Sequence, residues 1–183
     1  MEPGQARYAV VDVETSGLRP DRHRVLQVGV VVVDGAGTVL SRWSSLVRPS
    51  RRWLYRVGPT HIHGIRRRDV RDAPPAGEVL DRLATLLQDT RFVAHNARFD
   101  SAFLRRAAAR EGIELTLDDP LCTLRLSRDL DPERRLSHRL GDVAARYGVD
   151  LANPHDALAD ATATAAVLPP LLRAAEAAHL AVA

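Results

Sequence analysis

At 183 residues, with 45% hydrophobic and 27% charged residues, the chain has the size and balance of one soluble globular domain, which argues against a disordered or fibrous protein. Its one cysteine, Cys122, excludes an intrachain disulfide, the opening MEPGQARYAVVD lacks the layout of a secretory signal, and no apolar run reaches spanning length; a cytoplasmic protein with no membrane partner is expected. The net charge is +3 and all 26 basic residues are arginine, a choice that suits phosphate oxygens but is explained as well by codon bias in a G+C-rich genome.

Tyr8–Glu14 is predicted as a nearly continuous apolar strand ending in Thr-Ser-Gly turn chemistry. Val25–Val33 is a β-branched second strand, closed by the hairpin-type turn Asp34-Gly35-Ala36-Gly37, and Val39–Val47 alternates as a third. These make an antiparallel three-strand meander whose first strand is buried on both faces. Pro49–Pro75, rich in Gly, Pro, His and Arg, reads as a long surface connection with short helical pieces. Glu78–Leu87 has helical spacing, Arg91–Ala94 is a short strand, and Phe99–Arg110 is a helix stopped by Gly112. Leu121–Leu126 is either a last strand or the start of a helix. Ser137 is the expected N-cap of a helix over Arg139–Tyr147 that Gly148 ends. A final helix begins near Asp156, with a break or sharp kink expected at Leu168 because Pro169 and Pro170 remove backbone donors. No linker or repeat divides the chain, so a single α/β domain with a mixed sheet over residues 1–183 follows.

Four acids stand beside sequence that belongs in a core: Asp12 and Glu14 in VVDVETSGL, Asp100 in HNARFDSAFL and Asp160 in HDALADATATAAVL. An unpaired buried carboxylate is costly or becomes protonated, so acids from three segments converging on one place point to a divalent cation. Asp12 and Glu14, two apart on a strand, leave the same face. An oxygen-rich site of this kind favours a hard cation. Taken singly, each has a plainer explanation: solvated strand-end acids for the first pair, a helix cap for Asp100, an arginine-paired surface acid for Asp160. His155 and Asp160 converge only if His155 precedes the first helical turn, which Pro154 favours, with Asp156 as N-cap. A histidine beside such a cluster suggests phosphodiester hydrolysis, because its ordinary pKa of about 6.5 lets it take a proton from water at neutral pH.

The three segments, in this order and spacing, resemble the three motifs of the DEDDh 3′–5′ exonucleases, the DnaQ-like family that includes proofreading subunits of bacterial DNA polymerase III and RNase T. The resemblance covers nearly the whole chain, THIHGI included, and His155-x4-Asp160 selects the histidine branch, since the tyrosine branch has tyrosine where this chain has Asp156. It implies an RNase H-like fold and two divalent cations, Mg²⁺ or Mn²⁺, held by Asp12, Glu14, Asp100 and Asp160, with His155 as general base and nucleoside 5′-monophosphates as products. It further implies that Thr15, Gly17 and Leu18 hold the 3′-terminal nucleotide and that His63, Asn96 and Phe99 line its pocket. Core packing is the competing reading for Leu18 and Phe99. Arg66, Arg67 and Arg68 would track phosphates or simply be solvated. Val13 replaces the threonine common between the first two acids and should point away from the cations, and Gln27 stands where many members have glutamate.

The expected partner is the 3′ end of single-stranded or frayed DNA or RNA, with a polymerase or a second copy of the chain as a possible protein partner. The alternatives are a non-catalytic nucleic-acid-binding adaptor of the same fold and a phosphoesterase acting on small nucleotides.

Overall fold

The computed structural model describes residues 6–49 and 56–180, so the part of the Pro49–Pro75 connection at 50–55 lies outside the described residues. β1 (Arg7–Thr15), β2 (Val25–Asp34) and β3 (Val39–Leu46) form the antiparallel meander, and β4 (Arg91–Ala94) and β5 (Leu121–Cys122) extend it in parallel on the other side of β1. The five-stranded order is β3-β2-β1-β4-β5, a mixed sheet flanked by helices. The chain order reverses direction at β1, and beyond the carboxyl ends of parallel strands at such a switch point a crevice opens. β1 outruns its partner there: the β1–β4 pairing stops at Val10↔Val93, leaving Asp12 and Glu14 past the end of β4.

The period of two along β1 sorts its side chains between two cores. Ala9, Val11 and Val13 face one cluster, with Leu80, Leu83 and Leu87 of α3 (Ala76–Leu87) and Phe103 and Leu104 of α4 (Ala97–Glu111). Val10 faces the other, with Val31, Val33, Ala161, Ala165 and Leu168. Asp12 and Glu14 continue the Val10 row, and Val13 is buried on the opposite face, as its position predicted.

One expectation is met, one is refined and two are corrected. Leu121–Leu126 is both things at once, β5 followed by α5 (Thr123–Asp129). The connection after β3 does carry short helices, α1 (Thr60–His63) and α2 (Arg67–Arg71). Ser137 does not cap α6 (Leu140–Arg146): Arg139 is the N-cap residue, and the Ser137 hydroxyl donates instead to Asp142 in the first turn. The last helix does not break at Leu168. α7 runs from Ala157 to Ala177 through both prolines. Val167, Leu168 and Leu171 are buried around them, and Pro169 packs against Gly37 in the β2–β3 turn, so tertiary contacts outweigh the lost amide donors.

Candidate active site

Close docking of α7 builds the site. Its inner face is small, with Ala157, Ala161 and Ala165 buried, and its first turn lies directly over Gly29 of β2, the residue paired with Asp12. A Cβ on Gly29 would collide with the carbonyl of Ala157, so glycine is required for close approach rather than for backbone freedom. Asp156 caps α7, accepting from the amides of Leu158 (3.1 Å) and Ala159 (3.0 Å). His155 therefore precedes the first turn, in a left-handed conformation (φ 68°), as convergence with Asp160 requires. Its amide donates to Asp160 Oδ2 (3.3 Å), and one ligand atom each of Glu14, His155 and Asp160 lie within 4.8 Å of one another.

The four acids share one electrostatic environment. Burial holds Asp12 well above the usual carboxylate range, reinforced by Asp100, Asp160 and Glu14 in turn. Glu14 is pushed up to about 7 by burial and then by Asp160. Asp100, buried in the first turns of α4, is pushed up to about 8 by burial, against hydrogen bonds from the amides of Asp100 and Val13. Asp160 is raised by burial, with the His155 amide opposing it. Its Oδ1 is buried with no hydrogen-bond partner among the described residues. Carboxylates that destabilise one another's charge, with one orphaned oxygen, form the donor set that a hard dication satisfies.

The residues expected on the substrate side have the following surroundings. A bulge after Glu14 turns the chain, and Thr15 Oγ1 donates to the carbonyl of Gly17 (2.8 Å). Gly17 adopts φ 153° with the His23 ring against its Cα. Leu18 is 81% exposed, which excludes core packing for it, and Ile62 on α1 is a second exposed apolar side chain in the THIHGI segment. Phe99 is half-buried against Phe103, ring centroids 4.9 Å apart, so packing accounts for much of its surface. Asn96 precedes α4 with φ 81°, exposed, its side chain not used as a cap. Asparagine tolerates this left-handed conformation better than other residues with a side chain. His63 is buried with both ring nitrogens engaged, Nε2 with the Val57 carbonyl and Nδ1 accepting from Ile65 N–H, so it shapes the loop wall.

The role of Gln27 escaped sequence reasoning. It is Glu14's cross-strand neighbour, its Nε2 donates to Asp156 Oδ2 (2.9 Å) and its Oε1 accepts from the Ala157 amide (3.3 Å). It thus clamps the start of α7 to β2, across 129 residues of sequence that no local pattern spans. Groups that orient the ligands of a metal site typically contribute about tenfold to a hundredfold in affinity or activity, and Gln27 acts one step further out, through Asp156 and the start of α7. Gln27→Leu is expected to lose about tenfold in kcat/KM with its circular dichroism unchanged at the assay temperature.

A mixed sheet in this order, with acids gathered at the end of its central strand and at two flanking helices, defines the RNase H-like class of nucleases and their relatives. Within that class the chain belongs to the exonuclease family, which it matches over residues 9–168. It is 32% identical over 166 residues to a PolC-type DNA polymerase III of Bacillus cereus, covering 91% of this chain and 11% of that one. A Staphylococcus saprophyticus counterpart is 33% identical over 173 residues, 94% of this chain and 12% of the relative. The chain thus spans about a ninth of the length of these polymerases. Its fold is that of E. coli exonuclease I, solved with a dT13 oligonucleotide (TM-score 0.82, 23% identity, 96% of this chain and 43% of the other). Among the described residues no helix is long and apolar enough to cross a membrane.

Proposed function

We propose that the chain is a DEDDh-type 3′–5′ exonuclease domain that removes nucleoside 5′-monophosphates one at a time from the 3′ end of single-stranded or frayed nucleic acid. The observation that carries this reading is the convergence of Asp12, Glu14, Asp100, Asp160 and His155 from three segments at the switch point of the sheet. The exonuclease I structures with single-stranded DNA and the PolC-type relatives support DNA as substrate and a polymerase as a protein partner.

Asp12, Glu14, Asp100 and Asp160 would hold two divalent cations, Mg²⁺ or Mn²⁺, with Asp160 Oδ1 free to ligate. When bound, these supply Lewis-acid activation of water and neutralise charge on the leaving oxygen. A ring nitrogen of His155 takes the proton of the attacking water, and the exposed left-handed turn leaves that ring open to the approaching phosphate. The turn through Thr15 and Gly17 holds the 3′-terminal sugar, and Leu18 meets the terminal base by an apolar face. Asn96 and Phe99 bound the pocket opposite, with His63 behind them.

His155→Ala is expected to lower kcat on a thymidine 5′-phosphate nitrophenyl ester by about a hundredfold to ten-thousandfold, with cation affinity retained by calorimetry. A wild-type rate in that variant overturns the general-base role.

The raised acids also set how stability depends on pH. A carboxylate whose folded pKa lies above its unfolded value binds its proton more tightly in the folded state. Its contribution is therefore fully present below about pH 4 and is lost as pH rises through about 7 for Glu14 and about 8 for Asp100. In EDTA the melting temperature should fall from about pH 5 to about pH 8, and added Mn²⁺ should raise it more at the higher value than at the lower. An equal metal-induced shift at both values contradicts the assignment of the acids as ligands.

A further inference from the structure

A cleft of about 520 Å³ is lined, among the described residues, by Arg98, Arg125, Arg128 and Arg134 with Asp129 as the only acid. All four arginines are exposed, three of them carried by α5 and the turn after it. Asn96, Ala97 and Ser101 form one wall, so the cleft is built on the same first turns of α4 that carry Asp100. Arg98 and Asp100 lie about 200° apart around that helix, so these two side chains leave nearly opposite sides of it. Arg66–Arg68, read from sequence either as a phosphate track or as a solvated run, belong to the α2 segment, where Arg68 pairs with Asp69.

We propose that this cleft is a second nucleic-acid contact, which grips backbone phosphates of the substrate strand on the 5′ side of the scissile bond. The inference rests on the exonuclease reading above. An enzyme that releases single nucleotides from a 3′ end leaves only the 5′ body of the strand as a long polyanion outside its site. The acidic cluster repels that body, and a guanidinium-lined channel starting at Asn96 offsets the repulsion. Guanidinium groups bind phosphate by charge and forked geometry without reading bases, so the cleft sets affinity and not sequence preference. The strand's terminal nucleotide does not reach it.

The test compares the full chain with the double variant Arg128→Gln/Arg134→Gln on two substrates: the nitrophenyl ester and an oligo-dT of about 16 nucleotides. Turnover of the ester should stay within about twofold of wild type. On the oligonucleotide kcat/KM should fall about tenfold, through KM. The slope of log affinity against log salt, measured in Ca²⁺ to prevent cleavage, should become shallower by about 1.4, since each phosphate of a single strand that is no longer neutralised removes about 0.7. Unchanged KM and salt slope with normal ester turnover overturn the cleft proposal and leave the exonuclease reading standing, and would assign the arginines to another acidic partner such as a protein segment. A wild-type protein inactive on both substrates overturns the exonuclease reading itself, and the proposal with it.

Discussion

Asp100→Asn is expected to abolish turnover and, in the same protein, to raise the melting temperature in EDTA. Asp100 is buried and its carboxyl is pushed up to about 8, so at neutral pH the folded chain holds a group whose ionisation the fold resists. The amide keeps the shape and an accepting oxygen for the nearby backbone amides while removing the charge. Loss of a carboxylate that places a dication forfeits several kcal/mol of transition-state stabilisation, so kcat/KM should fall by about a thousandfold or more. The gain in metal-free stability should be largest near pH 8 and vanish toward about pH 4, where the native acid is protonated anyway. Opposite signs for activity and stability mark a functional acid, since a structural one would lose both. Thermal unfolding in EDTA at the two pH values, beside initial rates in Mn²⁺, measures both effects.

The second large effect is expected from Gly29→Ala, a change of one methyl group at a residue that is itself no part of the acidic cluster but pairs with Asp12 across the sheet. The added Cβ meets the backbone of Ala157 and Leu158, which no side-chain rotation relieves. α7 must lift from β2 at its first turn, carrying Asp156, His155 and Asp160 away from Asp12 and Glu14. Overpacking of this kind costs about 1–3 kcal/mol in stability. The activity loss should be larger still, about a hundredfold, because a displacement of about 1 Å in a positioned group is enough for that. Chemical denaturation and ester turnover, measured on the same preparation, separate the two. A variant with wild-type rates would mean that α7 does not need this close seat.

Much of this was legible in the sequence, and the reasons are local. The period of two puts Asp12 and Glu14 on one face, Pro154 and Asp156 start α7 after His155, and β-branched runs around Asp34–Gly37 fix the meander. What stayed hidden depends on partners distant in the chain. Pro169 and Pro170 announce a break by local rules, yet the packing of Val167, Leu168 and Leu171 holds one helix. Ser137 offers capping chemistry that its hydroxyl spends on Asp142. Gln27 looks like a strand residue until Asp156 and Ala157 arrive beside it. His95, next to Asn96, likewise finds its partners in Thr123 and the carbonyl of His138, tying the end of β4 to α5 and the approach to α6. The Arg98–Arg134 cleft is assembled from α4 and α5, so no run of basic residues marks it.

Whether this acidic centre hydrolyses a strand from its 3′ end with divalent cations is decided by a time course on 5′-labelled single-stranded DNA and its RNA counterpart, in Mg²⁺ or Mn²⁺ and in EDTA. The expected result is a ladder that shortens from the 3′ end one nucleotide at a time, only with the cation, and that is lost in Asp100→Asn. A strand that stays intact with either cation while still bound by the protein would contradict it, and would make the chain a nucleic-acid-binding adaptor.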